Sequence, residues 1–216
     1  MGTKLQSTCA DLEPQEKAIA KRILNRDEIG KGNFGEKVIA NILLASGVRY
    51  IPLAKLDNGG APMIEAKEGK IVLPDFDCAG EDWIAFIEAK FKTQVVRWRM
   101  QNQLRHGIDR KNYRAYVQAS ELFQKRCMVV LIECYDEDGQ KWTGRLLAET
   151  LRDLGPPVDG MSNQSHMVYW KAKAFRDLDY FIPSELEAIH RGQTVPSYRH
   201  EFWEMMHKRK QLGLFE

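Results

Sequence analysis

The chain has 216 residues, 44% of them hydrophobic and 29% charged, with a formal net charge of +2. This is enough for one sizeable core. No apolar run approaches the roughly 20 residues that cross a bilayer, and residues 1–16 lack the apolar core of a signal peptide. We therefore expect a cytoplasmic protein with no membrane partner. The absence of any Cys-x-x-Cys pair argues against a zinc ribbon.

Two helices are predicted in the first 47 residues. Residues 16–24 have a helical composition, and a second helix follows Asn33, because apolar residues recur there at helical spacing until Gly47. Between them, Gly30, Gly32 and Gly35 imitate a phosphate-binding loop. A nucleotide site is not expected, because no strand precedes these glycines.

Short apolar runs separated by turn signals predict strands over residues 50–92. Residues 83–90 begin with an apolar stretch on both faces, which is typical of a buried central strand. Helices are then predicted over 95–105 and 109–124, strands over 127–134 and 167–170, and a partly helical end from 184. This order indicates an α/β protein with a mixed sheet covered by helices. The expected division is a helical extension (1–30), a core domain (31–182) and a C-terminal segment (183–216).

The predicted central strand ends in a carboxylate and an amine, Glu88 and Lys90, which share one face because they are two residues apart. Burying either charge without a partner costs several kcal/mol. Asp75 adds a second carboxylate at the end of another strand. Two carboxylates without histidine or cysteine favour Mg²⁺ or Mn²⁺, which bind phosphate-bearing substrates through such ligands.

Pro74 and Asp75, followed thirteen positions later by Glu88, Ala89 and Lys90, resemble the PD-(D/E)xK nuclease superfamily. His106, Gly107, Ile108, Tyr113 and Tyr116 resemble a phage- or plasmid-type subgroup. The resemblance implies a three-layer αβα sandwich with a central mixed β-sheet, the restriction-endonuclease-like fold, and Mg²⁺-dependent hydrolysis of DNA. It also implies that Asp75, Glu88 and the Ala89 carbonyl bind metal, and that Glu36 is an additional catalytic acid.

Three alternatives remain open at this stage. Asp77 shares a face with Asp75 and ranks second to it. The tripeptide from Glu65 to Lys67 repeats the motif, but nothing around it builds a buried strand, so a surface hairpin is the better interpretation. Glu36 lies three residues after Asn33, where it would also suit a capping box.

A basic segment with interleaved aromatic residues follows the predicted catalytic strand and suits phosphate contacts with a nucleic acid. Its basic members are Arg97, Arg99, Arg105, Arg110, Lys111 and Arg114. A solvated face is the alternative interpretation.

The last residues resemble the bacterial sliding-clamp binding peptide through Gln211, Leu212, Leu214 and Phe215, with Gly213 departing from the usual pattern. Folding of these apolar residues onto the protein's own core is the alternative. A zinc site at His200, Glu204 and His207 is not favoured.

The sequence thus predicts a metal-dependent deoxyribonuclease of phage or mobile-element type. Its rival is a non-catalytic DNA- or clamp-binding module with the same fold.

Overall fold

The computed structural model describes residues 12–53, 62–67, 69–80, 83–98, 102–159 and 166–193. The helices are α1 (Pro14–Leu24), α2 (Glu28–Ala45), α3 (Arg110–Phe123), α4 (Leu151–Leu154) and α5 (Pro183–His190). The strands are β1 (Arg49–Pro52), β2 (Met63–Ala66), β3 (Gly69–Val72), β4 (Phe76–Ala79), β5 (Ile84–Gln94), β6 (Val96–Trp98), β7 (Gln103–Asp109), β8 (Arg126–Tyr135), β9 (Trp142–Thr150), β10 (Val158–Asp159), β11 (Met167–Lys171) and β12 (Arg176–Tyr180).

A six-stranded sheet in the order β1-β4-β5-β8-β9-β12 forms the centre of the protein. Its two long middle strands, β5 and β8, are parallel, and every other pairing in this sheet is antiparallel. β8 is buried over all but its two end residues, and β5 is buried from Ala85 to Ala89, as their apolar sequences predict. The expected mixed central sheet is confirmed.

One face of this sheet packs against α1, α2 and α5. Alternate residues of β5, such as Ala85 and Ile87, contact the apolar stripe of α2 in a single core cluster. The same cluster takes in Ile19 and Ile23 of α1, so this helix is built into the core. The domain boundary expected near residue 30 stays a prediction.

The opposite face packs against α3 and a second, four-stranded sheet in the order β10-β11-β7-β6. Phe86 of β5 lies in this second cluster together with Ala119 of α3 and Trp170 of β11. Helices therefore flank the central sheet on both faces, which confirms the α/β class. Among the described residues, no helix is long and apolar enough to cross a bilayer.

Helix α2 begins earlier than the sequence suggested. Asp27 caps it by accepting a hydrogen bond from the Gly30 amide at 2.7 Å, so the glycine-rich stretch lies inside the helix. Asn33 is therefore an interior residue, and the capping-box interpretation of Glu36 is wrong. Gly35 is required for packing, because a Cβ there would lie 2.9 Å from the Cβ of Phe91 on β5.

The helix predicted over 95–105 is also wrong, because this segment contains β6 and the start of β7. After Val95 the chain leaves the central sheet and joins the second one. The Arg105 guanidinium stacks over the Trp98 ring at 4.2 Å across the two strands. Cross-strand packing of this kind outweighs the modest helical preference of the segment.

Candidate active site

Strand pairing brings Asp75 opposite Glu88. Phe76 of β4 pairs with Ile87 of β5, and continuing this antiparallel register by one residue puts Asp75 beside Glu88. The Asp75 carboxylate accepts a hydrogen bond from the Ala89 amide at 2.8 Å. The two acids thus lie side by side, Asp75 just before β4 and Glu88 inside β5, which continues to Gln94 beyond the strand end that the sequence predicted.

Glu88 is 1% exposed and forms an ion pair with Lys90 on the same face of β5. Burial raises the pKa of Glu88 to about 7; the Asp75 charge adds to the rise, and the Lys90 charge opposes it. Burial also acts to lower the pKa of Lys90, but the negative charges of Glu88 and Asp75 outweigh it and the net effect is a rise. The ammonium of Lys90 therefore stays protonated at neutral pH.

Tyr116 lies beside Glu88. From the sequence this tyrosine was named only as part of the subgroup resemblance, and its place in the site was not predicted. Its ring is 3% exposed on α3, and its hydroxyl lies near enough to the Glu88 carboxylate to act to lower the pKa of that acid. Burial, together with the negative charge of Glu88, raises the pKa of this phenol, which remains a donor. The available signal was general: a tyrosine on the buried side of a helix needs a partner for its hydroxyl.

Glu36 lies on α2, directly after the glycine that contacts Phe91. Its charge contributes to the raised pKa of Lys90, so the carboxylate acts on the site from the other layer. Glu36 has no capping role in α2, and its negative charge instead acts on Lys90 of the site.

The two competing assignments have other partners. Asp77 forms an ion pair with Lys125, with a distance of 2.6 Å between Nζ and Oδ2. Glu65 lies on the β2–β3 hairpin and pairs with Lys70 at 3.4 Å, with both side chains mostly exposed. The surface-hairpin interpretation of the repeated tripeptide is confirmed.

Asp75, Glu88 and the Ala89 carbonyl form an oxygen donor set. Among the described residues, no group of three or more His, Cys, Asp and Glu side chains is arranged to hold a metal ion. Mg²⁺ needs fewer, since it is commonly bound by one or two carboxylates and keeps several waters. The neighbouring carboxylates, one of them deeply buried with a raised pKa, fit a divalent cation of this kind.

The structure separates the six basic residues proposed for nucleic-acid binding. Arg110, Lys111 and Arg114 line a cleft of about 510 Å³ together with Lys70 and His166, which the sequence did not single out. Asp109 is the acid of this cleft, and its carboxylate caps α3 by accepting from the Lys111 and Asn112 amides.

The other three basic residues have different surroundings. Arg105 is 4% exposed beneath its contact with Trp98, and Arg97 forms an ion pair with Glu137. Arg99 lies outside the described residues, as do the four C-terminal residues proposed for clamp binding and the histidines considered for zinc.

Comparison with known proteins gives little guidance. No protein-family model matches the chain, and no curated protein does. Among solved structures, the chain is similar to Archaeoglobus fulgidus Hjc, a Holliday junction resolvase from an archaeal hyperthermophile. The identity is 12%, the match covers 65% of this chain and 88% of that one, and the TM-score is 0.41. This likeness is too slight to assign the chain to a family.

Proposed function

We propose that this protein is a divalent-metal-dependent nuclease that hydrolyses phosphodiester bonds in DNA. The observation that carries the proposal is the juxtaposition of Asp75 and Glu88 on neighbouring strands, with Lys90 on the same face of β5. A buried carboxylate is unfavourable unless something binds it. A divalent cation bound between these carboxylates would offset their negative charge and attract a phosphate of the substrate.

In this proposal Asp75, Glu88 and the Ala89 carbonyl hold the metal ion. Mg²⁺ or Mn²⁺ would polarise the scissile phosphate and make a water more acidic. The hydrogen bond from Ala89 fixes the Asp75 carboxylate, and the Tyr116 hydroxyl favours the ionised form of Glu88. Lys90 stays protonated and offsets the negative charge that develops on the phosphate during attack. The negative charge of Glu36 raises the pKa of Lys90 and so favours its protonated form.

The basic cleft at the start of α3 supports a polynucleotide substrate. Lys70, Lys111 and Arg114 can position phosphates without reading a sequence. Replacing Lys111 and Arg114 with alanine is expected to weaken DNA binding. The slope of the logarithm of the binding constant against the logarithm of the salt concentration should fall in magnitude by about one per lost phosphate contact. Fluorescence anisotropy at several salt concentrations measures both quantities.

The decisive experiment is cleavage of supercoiled and linear DNA by the full chain with Mg²⁺, Mn²⁺ or EDTA. Glu88→Gln is expected to slow metal-dependent cleavage by about a hundredfold or more. The repeated tripeptide supplies the matched control, since Glu65→Gln makes the same change on an exposed hairpin and should leave the rate unchanged. Equal rates for wild type and Glu88→Gln would overturn the assignment.

Lys90→Ala tests the rival function, a DNA-binding module without catalysis, which the basic cleft also favours. A nuclease loses cleavage in this variant and keeps most of its DNA binding. Absence of cleavage by the folded wild type, together with binding through the cleft, would support the rival.

Sliding-clamp binding by the C-terminal tail is a separate proposal from the sequence. Deleting residues 211–216 should abolish clamp binding in a pull-down or anisotropy assay, without affecting cleavage.

A further inference from the structure

A second pocket opens between the two sheets, away from the cleft at α3. It has a volume of about 390 Å³ and is lined by Gln103, Leu104, Arg145, Lys171, Ala172 and Lys173. Three of these residues are cationic and none is acidic. None of them belongs to the candidate catalytic centre, and the pocket lies among strands that the sequence analysis did not connect.

Arg145 is held in a fixed orientation in this pocket. Its Nε donates to Asp177 at 2.7 Å, and its Nη1 donates to Glu133 at 3.3 Å. Two carboxylates grip two positions of the guanidinium, which has five N–H donors in a planar fork. The side chain is 25% exposed, so the rest of the fork is accessible to a ligand.

Glu133, one of the two acids that hold Arg145, has other partners of its own. Its carboxylate is 1% exposed and contacts His106 Nε2 at 3.0 Å, while Thr143 donates to it at 3.2 Å. Burial acts to raise the pKa of Glu133, but its bonds to His106 and Arg145 outweigh burial and lower it. A buried carboxylate seldom adds stability. Here it orients a guanidinium at the mouth of a pocket.

Lys171 and Lys173 add two exposed ammonium groups beside this guanidinium. Within the described part of the chain, neither lysine takes part in an ion pair. Asp177 and Glu133 balance the charge of Arg145. The two lysines therefore supply the net positive charge of the pocket, which favours an anion between them. A planar fork with two point charges matches the oxygens of a phosphate.

The pocket lies on the same side of the central sheet as Glu88. Lys92 of β5 pairs with Glu133 of β8, and Glu133 pairs with Arg145 of β9. Four residues along β5 and two strands across, at the usual strand spacings, place Arg145 about 16 Å from Glu88. A polynucleotide backbone spans this distance in a few nucleotides.

We propose that Arg145, Lys171 and Lys173 bind a backbone phosphate of a DNA strand whose scissile bond lies at Glu88, a few nucleotides away. This inference rests on the proposed nuclease function, and it names an independent contact that orients the strand. A free polyphosphate would present the same chemistry.

The test compares the full-length wild type with a Lys171→Gln/Lys173→Gln double variant, in EDTA to prevent cleavage. A fluorescein-labelled DNA oligonucleotide should bind about tenfold more weakly to the variant. The slope of the logarithm of the binding constant against the logarithm of the salt concentration should fall in magnitude by about one per lost contact. The matched control is Lys17→Gln/Lys21→Gln, which removes two exposed lysines on α1, across the sheet. The control should bind like wild type.

A second arm measures thermal stabilisation by inorganic tripolyphosphate. If the double variant loses this stabilisation but binds DNA as wild type does, the ligand is a free polyphosphate and the DNA assignment is overturned. Unchanged behaviour with both ligands would overturn the site.

Cleavage of DNA in Mg²⁺ by the same proteins separates this inference from the proposed function. If the wild type cleaves and the double variant binds normally, the pocket assignment fails and the nuclease stands. If the wild type does not cleave but DNA binding depends on the two lysines, the contact stands and the nuclease fails.

Discussion

Replacing Glu88 with glutamine removes a buried charge and keeps the shape of the side chain, so we expect a more stable protein when divalent cations are absent. Burial raises the pKa of Glu88 from 4.5 to about 7. Each tenfold change in protonation corresponds to about 1.4 kcal/mol, so the ionised carboxylate destabilises the fold by at most about 3 kcal/mol. Glutamine carries no charge and avoids this penalty. The gain in the free energy of unfolding is reduced by any hydrogen bond that the buried amide fails to form.

The pH dependence fixes the sign of this effect. Below about pH 4.5 the carboxyl is neutral in both folded and unfolded chains, and the penalty is absent. As the pH rises towards 7 the unfolded chain releases its proton first, so the wild type loses stability relative to the variant. Above pH 7 the difference is constant and largest. Glu88→Gln is therefore expected to match wild type in acid and to exceed it at neutral pH.

Urea unfolding followed by tryptophan fluorescence measures the difference, in EDTA, between pH 4.5 and 8.5. Glu65→Gln is the control, because its carboxylate is exposed and its substitution should leave a small difference at every pH. Adding Mg²⁺ at a hundred times its dissociation constant should stabilise the wild type by about 2.7 kcal/mol and the variant much less. A Glu88→Gln protein that is less stable at pH 8, or equally shifted at every pH, would refute the reasoning.

Two further substitutions test neighbouring features. Tyr116→Phe removes the hydroxyl that favours ionised Glu88, so the acidic limb of the cleavage–pH profile should move to higher pH; an unchanged profile would remove Tyr116 from the site. Gly35→Ala should destabilise the fold by about 1–3 kcal/mol in urea, because its Cβ would crowd Phe91 at 2.9 Å. Gly32→Ala, which meets nothing within 4 Å, should instead stabilise it by up to about 1 kcal/mol; equal effects at both positions would contradict the close packing of α2 on β5.

The central strand could be predicted from the sequence because its signal is local. An apolar stretch buried on both faces, followed by Glu88 and Lys90, describes β5 without reference to the rest of the chain. The hairpin around Glu65 was predictable for the same reason, since turn residues separate two short strands there. The pairing of Asp75 with Glu88 then followed from the order of the strands.

Two predictions were wrong, the start of α2 and the helix over 95–105, because local signals compete or are weak in these segments. Asp27 and Asn33 are both good helix caps, and the sequence alone does not show that Asp27 is the one used, so that the helix extends through the glycines. The segment from Val95 onward has no strong period, and its strands exist because the second sheet is there to pair with them.

The remaining features depend on tertiary packing. The approach of Tyr116 to Glu88 brings a helix and a strand together. The basic pocket joins Arg145 of β9 to Lys171, at the end of β11, through the folding of two sheets onto one another. Neither leaves a pattern within a single segment, because their partners are far apart in sequence.

The parallel pairing of β5 with β8 also governs when the site can form. Glu88 lies beside Val129, and between them the chain must build β6, β7 and α3. Contacts of such long range form late, because the intervening chain must first lose its freedom. On the ribosome, the strand that carries Glu88 is made well before the strand and helix that enclose it. During that interval its carboxylate is hydrated on the side that β8 and α3 later cover, so the site of a nascent chain is incomplete until β8 has emerged and paired.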